Sequence, residues 1–284
     1  MVAALVVAAV LEAGRPRRAR KPDMGRRWAN NIGLTLINQV NVSLVSFVAA
    51  VAVAWWGGEE GIGLFSRSDL GLVPMLLMAI LAFEFVSYWF HRALHVVPWL
   101  WRIHAVHHCD TELDFTTTYR NHPLELYVNA PLSIPVILLL GFPVAVVVLY
   151  QLLKTSISVL AHSNTRLPER LDRVLRCLVI TPDYHRLHHS SDRHYTDSNF
   201  CAAFPIYDYL FGTARTAPYG MHESMDLGLQ YFREPLGGRL DRLLLMPLAW
   251  RPRRKEPAST APESPQLGVV TADQSRAPAA VVGE

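Results

Sequence analysis

Leu81-Ala82-Phe83-Glu84-Phe85-Val86-Ser87-Tyr88-Trp89-Phe90-His91-Arg92-Ala93-Leu94-His95 is an apolar stretch that closes on two histidines four residues apart. Counted from residue 70, the apolar run has the length of ~20 residues that crosses a bilayer. On a helix the i, i+4 spacing puts both imidazoles on one face. Two further groups follow, His104-Ala105-Val106-His107-His108 and His185-Arg186-Leu187-His188-His189, each an i, i+3, i+4 triple. An apolar core would leave many ring nitrogens unpaired at about 1–3 kcal/mol each, and a solvated surface needs no such clustering. A metal absorbs the lone pairs, and neutral imidazole suits zinc, iron, copper and nickel. One mononuclear site takes about three or four ligands, so these eight histidines imply at least two metals.

The chain has 284 residues, enough for one large domain or two ordinary ones. It is 51% hydrophobic and 18% charged, with a net charge of +3, too weak a balance to argue for nucleic acid. The local distribution says more. Arg15, Arg17, Arg18, Arg20, Lys21, Arg26 and Arg27 form a basic run between apolar stretches, the mark of a cytoplasmic loop between membrane segments. Three scattered cysteines, Cys109, Cys177 and Cys201, form no CxxC pair, so neither a disulfide framework nor a thiolate metal site is indicated. Cys109 reads as a small buried residue rather than a ligand.

Residues 2–11 are apolar but too short to cross, which makes them a partial or interfacial segment rather than a secretory signal. Ile32 to Trp56 reads as a span ending in the interfacial pair Trp55-Trp56. A loop over 57–69 carries Glu59, Glu60 and Asp69 outside, and residues 70–90 return and deliver His91 to the basic side. A second apolar block, 126–161, is interrupted by Gly141-Phe142-Pro143, which predicts a helical hairpin or a re-entrant one. Either way His162 emerges on the same side as His91. Residues 163–250 read as a cytoplasmic helical cap, and the Pro/Ala/Ser-rich tail from Pro252 as disordered. The expected organisation is a basic N-terminal segment over 1–27, a membrane domain over 28–250 and a tail over 251–284. The expected fold is all-α, with integral membrane hairpins and a cytoplasmic histidine-rich cap enclosing a dinuclear metal site. All the histidine groups fall at one membrane face in this topology, so four separate elements converge on one site.

The HxxxH, HxxHH and HxxHH groups arranged around membrane hairpins resemble the fatty acid hydroxylase/sterol desaturase superfamily of membrane di-iron oxygenases. Arg120-Asn121-His122-Pro123-Leu124-Glu125 resembles its RxHPxE segment, and His162-Ser163-Asn164 its HSN. Thr181-Pro182-Asp183-Tyr184-His185 through Ser190 resembles the third histidine box. Asp197-Ser198-Asn199 and Ile206-Tyr207-Asp208-Tyr209-Leu210-Phe211-Gly212-Thr213 resemble the closing segment. The chain departs from the family pattern at Phe200-Cys201, where relatives commonly have Tyr-Gly. The resemblance covers roughly residues 25–250. It implies two irons that activate O₂ to hydroxylate or desaturate a C–H bond of a lipid. The ligands it implies are His91, His95, His104, His107, His108, His185, His188 and His189, with His162 next.

His122 is a further candidate ligand, its alternative being a hydrogen bond within the cap. Glu84 lies seven residues before His91 on about the same helical face, where a carboxylate either orients an imidazole or is neutralised. Glu125 and Asp183, beside histidine groups, could serve likewise. His194 and His222 lack helical partners and read as ordinary polar residues, while Trp99 and Trp101 read as interfacial anchors. No dinucleotide fingerprint, iron–sulfur cysteine set or haem domain is visible. The electrons would therefore come from an external ferredoxin or cytochrome at the cytoplasmic face, with the Arg15–Arg27 run a candidate landing site. Two other classes stay open: a zinc-dependent membrane hydrolase, although HRALH lacks the glutamate of zincin helices, and a metal transport or storage protein.

Overall fold

The computed structural model describes residues 2–21, 24–40, 44–233 and 238–249, so the 251–284 tail lies outside the described residues. These contain α-helices, short 3-10 turns and two isolated β-bridges, and no strand. In chain order the helices are α1 (Val2–Gly14), α2 (Met24–Asn38), α3 (Leu44–Glu59), α4 (Leu72–Val96), α5 (Pro98–His108), α6 (Pro123–Asn129), α7 (Ser133–Leu140) and α8 (Val144–Ala161). Shorter ones follow: α9 (Glu169–Leu175), α10 (Pro182–His188), α11 (Arg193–Thr196), α12 (Ile206–Leu210), α13 (Met221–Ser224) and α14 (Leu240–Ala249).

Three stretches are long and apolar enough to cross a membrane: Leu72–Val96, Pro123–Leu140 and Val144–Ala161. Their outward faces stay apolar, as at Leu77, Leu81, Phe85, Leu139 and Leu152, the pattern of helices solvated by lipid rather than water. Their inward faces share a core of Met75, Ala79, Phe83, Ile137, Phe142, Val146 and Tyr150, against which Ala50 and Ala54 of α3 pack. The corner between α7 and α8 turns on Gly141, at φ +70°. A Cβ there would come within 2.7 Å of the Ile62 carbonyl oxygen, so only glycine fits.

Within the expected span from Ile32 to Trp56 the described helices are α2, ending at Asn38, and α3, beginning at Leu44; residues 41–43 between them lie outside the described residues. The Asn31 amide donates to Asp110 and the Thr116 hydroxyl, and Asn38 donates to the carbonyls of Tyr119 and Asn121. These asparagines therefore hold α2 against the loop after the second histidine group, and only α3 joins the apolar bundle. Its described residues, Leu44–Glu59, are fewer than the ~20 that cross a bilayer.

The basic run is largely consumed inside the fold. Arg17, 3% exposed, donates to the Asp183 carboxylate at 3.1 and 3.2 Å, to Glu223 at 2.7 Å and to the Tyr219 carbonyl. Arg27 spans Asp110 and Asp114 at 2.5–2.9 Å. Beside it the Asp110 carboxyl, although buried, is pulled down to about 2 by the Arg27 and Arg120 charges. Arg20 and Lys21 are exposed but paired with Glu12 and Glu112. A carrier would find mainly Arg15 and Arg26 exposed.

Candidate metal centre

The α4–α5 corner builds the first half of the site. Val97 is extended because Pro98 follows it, and Pro98 starts α5 at its first turn, where a missing N–H costs nothing. The tight corner folds His104 and His108 back onto His91 and His95. Helix α10, capped by the Thr181 hydroxyl on the Tyr184 amide, brings the third group, and His162 ends α8.

Two buried groups result: His91, His95, His104, His108 and His188 in one, and His107, His162, His185 and His189 in the other, each with ligand atoms within 4.8 Å of one another. The i, i+3, i+4 triples divide between the groups. His104 and His108 face the first and His107 the second, while His188 faces the first and His185 and His189 the second. In the first group His91 Nε2 lies 3.0 Å from both His104 Nε2 and His188 Nε2, and His108 Nε2 is 3.1 Å from His104 Nε2. In the second, His162 Nε2 lies 2.9 Å from His185 Nε2 and 3.2 Å from His107 Nε2. Ligands at right angles on metal–imidazole bonds of roughly 2.0–2.1 Å would be about 3.0 Å apart. The nitrogens are spaced as edges of coordination polyhedra.

The far side of five rings fixes which nitrogen faces inward. His91 Nδ1 donates to the Phe200 carbonyl at 2.6 Å, His188 Nδ1 to the Ser198 carbonyl at 2.7 Å and His162 Nδ1 to the Ser158 carbonyl at 2.8 Å. His104 Nδ1 meets the Glu125 carboxylate at 3.0 Å, and His95 Nδ1 meets Asp197 at 3.3 Å. These oxygens only accept, so each Nδ1 carries the proton and each neutral ring presents a lone pair at Nε2, a tautomer assigned from the partner. Converging lone pairs about 3 Å apart repel unless a cation takes them. Protonation is not the remedy, because burial drives His188 down to about 3 and His162 to about 4. Burial, reinforced by neighbouring imidazoles, likewise holds His107, His108, His185 and His189 well below the ordinary range. The donor set therefore fits two all-imidazole metal sites, suited to iron, zinc, copper or nickel by ligand type.

The remaining candidates fall elsewhere. His122 caps α6: its Nδ1 accepts from the Leu124 amide and its Nε2 donates to the Leu244 carbonyl. Both nitrogens are used and it lies outside both groups. Glu84 touches no imidazole; it accepts from the Tyr150 hydroxyl and the Ala203 and Phe204 amides, tying α4 to α8 and to the loop before α12. Asp183 faces away from the histidines toward Arg17 and Arg186. Glu125 alone among these acids meets a histidine of the groups. Trp101 does not anchor an interface: its ring lies 5.0 and 5.5 Å from the His95 and His108 rings, and its Nε1 donates to the Tyr231 hydroxyl. Trp99 is exposed, His194 is exposed, and His222 is buried beside Asp183.

Sequence reading assigned no role to Asp197, Ser198 and Phe200, which together hold three of the rings. Asn199 sits between them at φ +54°, its amide bridging the Tyr184 and Arg215 carbonyls, while Asp208 accepts from the Phe200 and Cys201 amides. The closing segment is thus the clamp that aims backbone carbonyls at His91 and His188. The departure at Phe200-Cys201 leaves this work intact, since carbonyl and amide carry it.

Residues 76–213, which contain every histidine of both groups, match the fatty acid hydroxylase family. The chain is 31% identical over 211 residues to a very-long-chain aldehyde decarbonylase of Oryza sativa subsp. indica, across 71% of this chain and 30% of that protein. It is 30% identical over 135 residues to the alkylglycerol monooxygenase of Homo sapiens (48% of this chain, 29% of that one). To an ornithine lipid hydroxylase of Rhizobium tropici it is 28% identical over 208 residues (70% and 60%). No solved structure matches. This histidine-bearing region, residues 76–213, is that of the fatty acid hydroxylase/sterol desaturase superfamily. The chain spans under a third of the plant and human relatives and 60% of the bacterial one.

Proposed function

We propose that this protein is a multi-pass membrane oxidoreductase that hydroxylates or desaturates a C–H bond of a lipid, using O₂, two irons and external electrons. The observation that carries the proposal is the pair of buried groups of five and four imidazoles, with no carboxylate in either. Bound there, iron would supply O₂ activation and the removal of hydrogen from an unactivated C–H bond. The chain supplies the rest. His91, His95, His104, His108 and His188 would hold one iron, and His107, His162, His185 and His189 the other. Glu125 and Asp197 orient His104 and His95 through Nδ1, and the Phe200, Ser198 and Ser158 carbonyls do the same for His91, His188 and His162. Burial keeps the rings neutral and excludes water from the reacting region.

The histidines lie at the C-terminal ends of α4 and α8, so a lipid chain can reach them from the bilayer without leaving it. We place this end at the cytoplasmic face, where a ferredoxin or cytochrome can deliver electrons. Among the described residues Glu125 is the glutamate that meets a histidine of the groups, and it is committed to His104 Nδ1 rather than free for zinc hydrolysis. The test is metal analysis with turnover. The purified chain should hold two irons, and His107→Ala or His188→Ala should lose iron and all O₂-dependent lipid oxidation while remaining in the membrane. Full activity in either variant, or zinc with hydrolysis, refutes the proposal.

A further inference from the structure

A cavity of about 360 Å³ opens between α3, α4, α6, α7 and α8, within the size range of small-molecule sites. Its lining is unusual for the interior of an apolar bundle. Ser87, Asn129, Ser133, Gln151, Lys154 and Thr155 line it beside Phe47, Val86 and Leu126. Lys154 is the cation among them, set in the apolar run of α8. Its Nζ makes one long hydrogen bond, 3.4 Å to the Ser87 hydroxyl, and meets no carboxylate within ion-pair distance among the described residues. The nearby Glu84 is engaged with Tyr150, Ala203 and Phe204 instead. An ionisable group inside a membrane segment is costly and ordinarily faces a partner or a ligand path.

The cavity is in register with the metal centre on three helices. Ser87 lies four residues before His91 on α4, and Asn129 four residues after Glu125, which holds His104. On α8, Lys154 lies eight residues before His162, with Ser158 between them on the same stripe. At 1.5 Å per residue the cavity is therefore about 6–12 Å from the histidines along the helices, on their membrane side.

We propose that this cavity seats the polar head of the lipid substrate, and that the Lys154 ammonium binds an anionic group on it, a phosphate or a carboxylate. This rests on the oxygenase function proposed above. The ammonium meets the anion, Ser87, Asn129 and Gln151 supply neutral hydrogen bonds, and the apolar wall of Phe47, Val86 and Leu126 guides the chain. Substrate class would then follow from one half-buried charge rather than from the generic apolar surroundings.

The full iron-loaded chain in a nonionic detergent can be tested with three labelled probes: oleate, dioleoylphosphatidic acid and dioleoylphosphatidylcholine. At least one anionic probe should bind about tenfold or more tightly than the zwitterionic one, the value of a charge-assisted hydrogen bond. Which anion wins identifies carboxylate or phosphate as the source. Lys154→Met and Lys154→Gln should erase the preference, and Lys154→Arg should keep it, at unchanged iron content. No anion preference in the parent chain, or its survival in both Lys154→Met and Lys154→Gln, overturns the proposal. A parent chain that takes up no iron at either histidine group yet keeps a Lys154-dependent preference would instead sink the oxygenase function and leave an anionic-lipid site that is not a substrate seat.

Discussion

Replacing Glu125 tests whether the orienting shell matters as much as the histidines themselves. Glu125 is 8% exposed, on the first turn of α6, and its Oε2 lies 3.0 Å from His104 Nδ1. His104 Nε2 lies 3.0 Å from His91 Nε2 and 3.1 Å from His108 Nε2. A ring that swings therefore disturbs every neighbour in its group. Glu125→Ala strands a buried N–H, at about 1–3 kcal/mol, and frees the ring to rotate. Losing such a partner typically lowers metal affinity by about 10–100-fold, or about 1.4–2.7 kcal/mol. Glu125→Gln keeps an accepting oxygen but loses the charge, so it should fall between parent and alanine variant. Chelator competition on purified protein would read the affinities, and the expected order is Glu125, then Gln, then Ala. An alanine variant that holds iron as tightly as its parent refutes the orienting role.

Arg27→Ala should cost roughly 3–5 kcal/mol, because it leaves the buried Asp114 and Asp110 without the cation that pairs with both, Arg120 remaining near Asp110 alone; a thermal melt in detergent measures it. In the intact chain the Asp110 carboxyl sits at about 2, below its ordinary value of 3.8. Its stabilisation is therefore complete above pH ~4 and is lost as pH falls toward 2, which an acid titration of the melting temperature would show. For sidedness, the exposed native Cys177 should label from the cytoplasm, while Ser68→Cys in a Cys177→Ser background should label from outside; labelling from one side contradicts the topology. Purified chain with lipid, O₂ and NAD(P)H alone should complete at most one turnover per iron pair. Multiple turnovers without a ferredoxin or cytochrome and its reductase would break the inference of an external donor.

Much of the site was legible because helical spacing maps directly onto a face. His104 and His107 three apart, and His104 and His108 four apart, already implied convergent rings. Their division into two groups was not legible, since it depends on how α10 docks between α5 and α8. The carbonyls of Ser158, Ser198 and Phe200 were invisible for a different reason: every residue has a carbonyl, and only the backbone path, including Asn199 at positive φ, decides where it aims. The partners of Asn31 and Asn38 were not legible either, because a hydropathy average cannot tell a tolerated polar residue from one that anchors a loop. His122 shows the same limit. Sitting before a proline, it had both a capping and a ligating future in the sequence, and the packing of α14 against it selects the cap.

Arg17 carries a consequence for how the molecule comes into being. Its guanidinium meets Glu223, 206 positions later. At typical synthesis rates of about 5–20 residues per second, roughly 10–40 s pass before that partner leaves the ribosome. The third histidine group, residues 185–189, is made within this interval, before Glu223. The buried Arg17 contacts to Asp183 and Glu223 can therefore form only after the third histidine group and α13 have both been made, so they pin the N-terminal arm late.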